Sequence, residues 1–178
     1  ASMEQPRTPD LLVVGGGPIG LAAAIAARLQ GLDAALVDPH RPPIDKACGE
    51  GILPHGVAAL RQLGLQDRLM AAGARSFRGL RYWAEDGSSA AAEFPDVAGL
   101  GEGLVLRRLR LDALLLDAAR AEPSVRVLEG VRVTGLMRGP LPTGGEGVIG
   151  VEAQETGTGG RIEIRAALTV GADGLHSQ

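Results

Sequence analysis

The amino-acid sequence predicts an α/β fold with a parallel β-sheet, and three consecutive segments carry that prediction. Residues 11–14 form a short apolar run, which is typical of a strand covered on both faces. Residues 18–30 are rich in alanine and have strong helix propensity, and Gly31 ends that helix. Residues 33–37 form a second apolar run. A strand, a helix and a strand in this order predict a right-handed βαβ unit.

The composition is that of a folded protein and argues against nucleic acid as a partner. Hydrophobic residues make up 45% of the 178 residues and charged residues 22%, with a net charge of −3. Two Phe, one Tyr and one Trp offer no extended stacking surface for bases, and the weak acidity does not suit a phosphate backbone.

Cysteine content and the longest uncharged run bear on the compartment. Cys48 is the single cysteine, which excludes an internal disulfide and favours a reducing, cytoplasmic compartment. The uncharged residues 11–27 are fewer than the ~20 that a membrane span needs, and Gly and Pro interrupt them. We expect no integral membrane segment, and the sequence leaves the oligomeric state open.

The middle of the chain alternates between helix and strand signals. Residues 39–51 are rich in Pro and Gly and predict a loop. Pro54 then begins a helix that Gly64 ends, and a shorter helix follows over residues 66–72. Residues 76–94 alternate with a period of two around a turn at 85–88 and predict a hairpin. A strand near 104–106 leads into a helix over 108–121.

The last third predicts mainly strands. Residues 125–128 and 131–137 are strand candidates, 139–147 a loop, and 148–154 are expected to pair with 161–164. A final strand, 167–170, runs into Gly171 and the residues that follow it. We therefore divide the chain into a tag remnant and N-terminal arm (1–9), a βαβ core (10–75), a mixed β excursion (76–106) and a continuation of the core domain (107–178).

A Gly-x-Gly-x-x-Gly spacing lies between the first strand and the first helix. Gly15 permits a tight turn, Gly17 lets the backbone approach a pyrophosphate, and Gly20 lets the helix pack against the strand. The N–H groups at the positive end of the helix then face the phosphates. Because 27 residues are glycine, the spacing alone is weak evidence, but its place between a strand and a helix predicts a dinucleotide site.

An acidic residue at the end of the second strand supports this site and narrows the choice of nucleotide. Asp38 ends the second strand, where its carboxylate can accept hydrogen bonds from ribose hydroxyls. It disfavours a ribose 2′-phosphate, and Arg41 weakens that argument only slightly. NAD(H) and FAD both fit. A nicotinamide domain would continue with further βα units at once, whereas this chain turns to β structure over residues 76–106.

Four stretches of the chain match motifs of one superfamily, and they occur along the chain in the same order as in that superfamily. They are residues 13–20 with Asp38, residues 46–54 with Gly56 and Leu60, residues 108–115, and residues 171–177. Together they are similar to the FAD-binding half of flavoprotein monooxygenases of the para-hydroxybenzoate hydroxylase type, and to the related geranylgeranyl reductases and flavin-dependent halogenases. The resemblance implies a Rossmann-like FAD-binding domain of the glutathione reductase type, with an inserted β-meander, truncated before its substrate domain is complete.

The resemblance implies a set of residues for the phosphates and the adenosine of FAD. The pyrophosphate would be held by Gly15, Gly17, Pro18, Ile19 and Gly20. Asp38 would hold the adenosine ribose, with Arg41 near it in sequence. Arg108 would point its guanidinium at the phosphates, a role that Arg107 or Arg110 could also fill. Val133 would offer backbone groups to the adenine.

A second implied set surrounds the flavin. The loop that contains Lys46, Cys48 and Gly49 would lie near the flavin ring and the ribityl chain. Asp173 and Gly174 would contact the cofactor and shape a cleft used by NADH or NADPH, the transient reductant. Cys48 could instead be a nucleophile paired with His55. The sequence assigns no catalytic residue, and the spacing of its three histidines and Cys48 predicts no metal site.

The implied function is that of the FAD-binding portion of an NAD(P)H-dependent monooxygenase, a hydroxylase of an organic small molecule such as one of secondary metabolism. A geranylgeranyl reductase-like or halogenase-like flavoenzyme is the alternative, and residues 48–51 lean towards it. A non-catalytic nucleotide-binding module is an alternative of another class. Because the third cofactor motif of the family is absent, we expect a fragment that is inactive by itself.

Overall fold

The computed structural model describes residues 8–41, 44–45, 48, 50–96 and 99–174. The helices are α1 (Pro18–Ala27), α2 (Pro54–Gln62), α3 (Gln66–Ala71) and α4 (Arg108–Ala121). The strands are β1 (Leu11–Val14), β2 (Ala34–Asp38), β3 (Gly51–Ile52), β4 (Arg75–Phe77), β5 (Gly79–Trp83), β6 (Ser89–Glu93), β7 (Gly103–Val105), β8 (Val125–Glu129), β9 (Val131–Pro140), β10 (Glu146–Glu155), β11 (Arg161–Arg165) and β12 (Leu168–Gly171).

The chain forms two units, which are described separately. The first contains the described residues of 1–44 and 115–178, and the second contains those of 45–114. The described residues of 45–75 are grouped with the β structure that follows them, because β3 and β4 both pair with β7. Helix α4 begins in the second unit and ends in the first.

The first unit is built on a four-stranded sheet in the order β12-β1-β2-β8, and each neighbouring pair is parallel. The predicted βαβ unit is confirmed, since β1 and β2 are neighbours with α1 between them in sequence. Pro18 suits the first turn of α1, where its missing N–H costs no hydrogen bond. A turn of 3₁₀ helix, Arg28–Gln30, follows, and Gly31 ends it at φ +67°.

The two faces of this sheet bury different partners. Helix α1 lies on the face of Val13, whose Cγ1 atom is 3.3 Å from where a Cβ on Gly20 would stand. The antiparallel sheet β11-β10-β9 supplies residues to the core on the opposite face. That core consists of Leu12, Ala35, Val37, Val131, Val151, Ala153 and Ala166. Burial on both faces explains why β1 is apolar throughout and β2 is apolar up to Asp38, its last residue.

The antiparallel sheet differs from its prediction at one turn. The pairing of residues 148–154 with 161–164 is confirmed in β10 and β11. The predicted loop over 139–147 is wrong at both ends, because β9 continues to Pro140 and β10 begins at Glu146. A tight turn closes the connection: the N–H of Leu141 donates to the carbonyl of Gly145 at 2.9 Å.

The second unit contains α2, α3, the first part of α4 and two small sheets. One is the antiparallel sheet β3-β7-β4, and the other is the hairpin β5-β6. The predicted hairpin is confirmed for β5 and β6, but Ser76 and Phe77 pair with β7 instead. Gly51, predicted as the end of a loop, instead forms the short strand β3 with Ile52, and this strand pairs with β7. Among the described helices, none is long and apolar enough to cross a membrane.

We expect the substitution Leu12→Ala to lower the free energy of unfolding by about 2–5 kcal/mol, because it opens a cavity in a core that repacks only in part. The Leu12 side chain is fully buried between the two sheets. Leu168→Ala is the matched control, because Leu168 lies on β12 and is 59% exposed. Urea denaturation measures both changes, and equal losses would contradict the packing described here.

Candidate functional site

Two glycines, one in the turn between β1 and α1 and one in the first turn of α1, have no room for a side chain. Gly15 has φ +114°, and a Cβ there would stand 2.8 Å from the backbone nitrogen of Asp173. A Cβ on Gly20 would overlap the carbonyl oxygen of Gly15. These positions need glycine because the backbone of the loop after β12, the turn and the helix approach one another directly.

Gly17 in the same turn has the opposite environment. It is the N-cap of α1, with an extended backbone at φ −74°, and a Cβ there would meet no atom within 4 Å. No side chain caps α1, and no acidic residue lies in its first turn. The positive end of α1 therefore faces open space beside Gly17, which is the arrangement that binds a phosphate. Pro18 and the exposed Ile19 continue the helix from this point.

Asp38 is held against the same turn by hydrogen bonds to its two carboxylate oxygens. It is 7% exposed at the end of β2. Oδ2 accepts a hydrogen bond from the N–H of Gly16 at 2.7 Å, and Oδ1 accepts one from the N–H of His40 at 2.8 Å. The Nδ1 atom of His40 lies 3.2 Å from Oδ1. The acid predicted for the nucleotide thus lies beside the glycine turn.

Sequence reasoning missed Gly16 and His40 as members of this site. The signal for Gly16 was that it makes a run of three glycines with Gly15 and Gly17, although the spacing of the motif does not require glycine there. A Cβ at Gly16 would stand 3.0 Å from the Cβ of Asp38. The signal for His40 was its place two residues after an Asp that follows a strand, where an Asp side chain commonly accepts a backbone N–H.

The loop after β12 brings a second predicted segment to the turn. The N–H of Ala172 donates to the carbonyl of Val14 at 2.7 Å, which fixes the loop beside the end of β1. Asp173 follows with an exposed side chain, and Gly174 has φ +87° in open space. The structure therefore brings Gly15 and Asp173 together, although they are far apart in sequence.

The remaining predicted residues of the first unit are Arg41 and Val133. Arg41 is exposed after β2. Val133 is half-buried on β9, pairs with Ala153 and packs on the core between the sheets. Because β9 is the edge of its three-stranded sheet, half of its backbone groups point away from β10. Contact of these groups with adenine stays a prediction.

The second unit brings Cys48 and Arg108 together. The N–H of Glu50 lies 3.4 Å from the sulfur of Cys48. This N–H and then the Arg108 guanidinium lower the pKa of the Cys48 thiol below its usual range. In the described part of the chain, the polar contacts of Cys48 are to Glu50 and Arg108 and not to His55. Lys46 and Gly49, predicted for the same loop, lie outside the described residues.

Arg108 is itself fixed by a buried acid. Its Nε and one terminal nitrogen donate to the two oxygens of Asp112, at 2.9 and 3.0 Å, and Asp112 is 4% exposed. This carboxylate raises the pKa of Arg108. The two other candidate arginines have partners too: Arg107 lies 3.7 Å from a carboxylate oxygen of Glu50, and Arg110 donates to the carbonyl of Ala72 at 3.0 Å. A role for Arg108 at the phosphates stays a prediction.

The part of the chain that the structure describes contains no assembled set of metal ligands. No group of three or more His, Cys, Asp or Glu side chains there is placed to hold a metal ion.

Residues 8–178 match the sequence model of a family described as FAD binding domain. Mouse squalene monooxygenase is 30% identical over 173 residues, which cover 96% of this chain and 29% of the relative. Digeranylgeranylglycerophospholipid reductase of Methanothrix thermoacetophila is 34% identical over 171 residues, covering 95% of this chain and 40% of the relative. The structure of the myxobacterial chondrochloren halogenase CndH superposes with a TM-score of 0.80 at 27% identity, covering 97% of this chain and 39% of that chain.

We expect Gly20→Ala to destabilise the protein more than Gly17→Ala, because Gly20 is packed against backbone and Gly17 borders open space. Gly20→Ala should lower the free energy of unfolding by at least about 2 kcal/mol, because the added methyl overlaps backbone that cannot move aside. Gly17→Ala should cost less than about 1 kcal/mol, since Ala fits the backbone there and is only a poorer N-cap. Thermal and urea denaturation measure both, and a larger loss for Gly17→Ala would contradict the geometry of the turn.

We expect the Cys48 thiol to react with iodoacetamide with a pH midpoint below that of an unstructured cysteine. The depressed pKa means that the thiolate persists at pH values where an ordinary thiol is protonated. The same chain in denaturant is the control, because unfolding removes the Glu50 N–H and the Arg108 guanidinium, and the midpoint should rise. An unchanged midpoint on unfolding would contradict the contacts of Cys48.

Proposed function

The chain belongs to the FAD-binding-domain family of flavin monooxygenase-like proteins, and from that premise we propose that residues 15–20 bind the pyrophosphate of FAD. The observation that carries the proposal is the environment of Gly17. Its backbone borders open space at the uncapped N-terminus of α1, while the neighbouring glycines are packed against protein. Backbone N–H groups at such a helix start attract a diphosphate without a charged side chain.

Asp38 is proposed to bind the adenosine ribose. Its carboxylate stands at the carboxyl end of β2, next to the turn that would hold the pyrophosphate, and it can accept a hydrogen bond from a ribose hydroxyl group. A carboxylate here also repels a 2′-phosphate, so an unphosphorylated ribose, as in FAD, suits the site. When bound, FAD supplies the redox chemistry, and the residues of this chain position it.

Five further described residues are proposed to contact FAD, four of them because a matched motif contains them and Arg41 because it follows Asp38 closely in sequence. They are Arg41, Cys48, Arg108, Asp173 and Gly174. Lys46 and Gly49 join them from the sequence alone. Val133 is proposed to present backbone groups to the adenine, which its position on an edge strand supports. For Arg108, the pairing with Asp112 supports a fixed orientation of the guanidinium, whose remaining N–H groups could donate to a phosphate.

The activity proposed for the whole protein is NAD(P)H-dependent monooxygenation of an organic small molecule. The similarity to squalene monooxygenase over 96% of the chain supports it. The chain spans 29% of that relative and 40% of the archaeal reductase. The 34% identity to that reductase favours a second candidate, a flavin-dependent reductase. Oxygen consumption that depends on NAD(P)H and an organic substrate would distinguish the two.

We expect the wild-type chain to bind FAD and Gly17→Ala to weaken that binding by about tenfold or more, equivalent to ~1.4 kcal/mol, because the added methyl occupies the space next to the diphosphate. Gly157→Ala is the matched control: a Cβ at Gly157 also meets nothing within 4 Å, but it lies in the turn between β10 and β11. Flavin fluorescence on titration measures the dissociation constants.

Two outcomes of this titration would contradict the proposal. One is binding of NADH without binding of FAD by the wild-type chain. The other is equal affinity for FAD in the wild-type chain and in Gly17→Ala, with Gly17→Ala shown to be folded by circular dichroism.

A further inference from the structure

We propose that His40 is a positioning residue of the nucleotide site and acts on the ribose through Asp38. The inference rests on the proposed binding of FAD by this site, and no family motif quoted above includes His40. Its starting point is that one residue makes two contacts with one oxygen atom. The backbone N–H and the Nδ1 atom of His40 lie 2.8 and 3.2 Å from Oδ1 of Asp38.

The hydrogen bonds to Asp38 fix the plane of its carboxylate. The terminal torsion of an Asp side chain has a broad energy minimum, so the carboxylate is not oriented by its own geometry. Gly16 holds Oδ2 from one side at 2.7 Å, and His40 holds Oδ1 from the other. With both oxygens held, the carboxylate plane of Asp38 cannot rotate without breaking a hydrogen bond. The Asp38 side chain is only 11% exposed.

Counting acceptor positions shows where a ligand hydroxyl can bind. An ionised carboxylate has about four lone-pair positions, two on each oxygen, and it accepts only. The contact with Oδ1 therefore assigns a hydrogen to Nδ1 of His40. The N–H and Nδ1–H of His40 then fill both positions of Oδ1, and the N–H of Gly16 fills one of Oδ2. Among the described residues these are the donors to Asp38, so the remaining position lies on Oδ2, the oxygen beside the glycine turn.

His40 therefore directs the ribose hydroxyl to Oδ2. Without the imidazole, Oδ1 would have a vacant acceptor position as well, and the hydroxyl could bind to either oxygen. The backbone N–H of His40 closes the turn after β2 whatever the side chain is, so closing the turn does not require histidine. The His40 side chain is 58% exposed, so its removal leaves no buried cavity.

The test is a double-mutant cycle with FAD as the probe. His40→Ala keeps the backbone N–H and removes the imidazole, and we expect it to weaken FAD binding by about 3- to 10-fold, the usual range for one hydrogen bond. In the Asp38→Ala background, His40→Ala should have no further effect, because the two residues act as a unit. His40→Asn should restore binding to within about twofold, since its amide can donate to Oδ1.

Controls separate this role from an effect on folding. His55→Ala removes another exposed histidine, from α2 in the second unit, and should leave the FAD dissociation constant unchanged. His40→Ala should remain folded without FAD, as measured by circular dichroism, because the exposed imidazole fills no buried space. A loss of folded structure would assign His40 a structural role instead.

Each of the other outcomes would contradict the inference about His40, the proposed function or both. If the wild-type chain binds FAD and His40→Ala binds it equally well, the inference fails and the proposed function stands. If His40→Ala weakens binding equally in both backgrounds, or His40→Asn binds no better than His40→Ala, His40 does not act through Asp38 as a donor. If the wild-type chain does not bind FAD, the proposed function and this inference fail together.

Discussion

The exclusion of side chains from the turn between β1 and α1 is the constraint on which the first unit depends. At Gly15, Gly16 and Gly20 a Cβ would meet, respectively, the loop after β12, the Asp38 side chain and the turn itself. Because of these close approaches, β1, α1, β2 and the loop after β12 meet at one end of the sheet. A methyl group at Gly15 or Gly20 would have to displace backbone, and one at Gly16 would press on the Asp38 side chain.

The environment of Gly17 supports the second role proposed for this turn, which is to bind a diphosphate. Packing does not require glycine there, because a side chain would point into open space. The absence of a side-chain cap on α1 is costly for a helix unless another group satisfies its first N–H groups. A bound diphosphate would fill the open space beside Gly17 and would accept hydrogen bonds from the first N–H groups of α1. The fixed carboxylate of Asp38 defines where the adjoining ribose would lie. The tightly packed glycines thus fix the position of Gly17, which borders open space.

Local signals in the sequence predicted the βαβ unit, α4, the hairpin β5-β6 and the pairing of β10 with β11, because each has a clear period, a cap or a turn. Elements that depend on a distant partner were missed. Gly51 and Ile52 are too short to show a period, and they become a strand only because β7 lies beside them. In the same way, the motifs identified Asp38 and the glycine turn, whereas the bonds from Gly16 and His40 require two loops to meet in space.

Hydrogen–deuterium exchange of the backbone amides, with and without saturating FAD, tests the central claim most directly. The glycine turn and the loop after β12 are in backbone contact through Gly15 and Asp173, and the turn is the proposed diphosphate site. We predict that FAD slows exchange in residues 16–20 and in residues 172–174 together. FAD binding that leaves exchange in both segments unchanged would contradict the account.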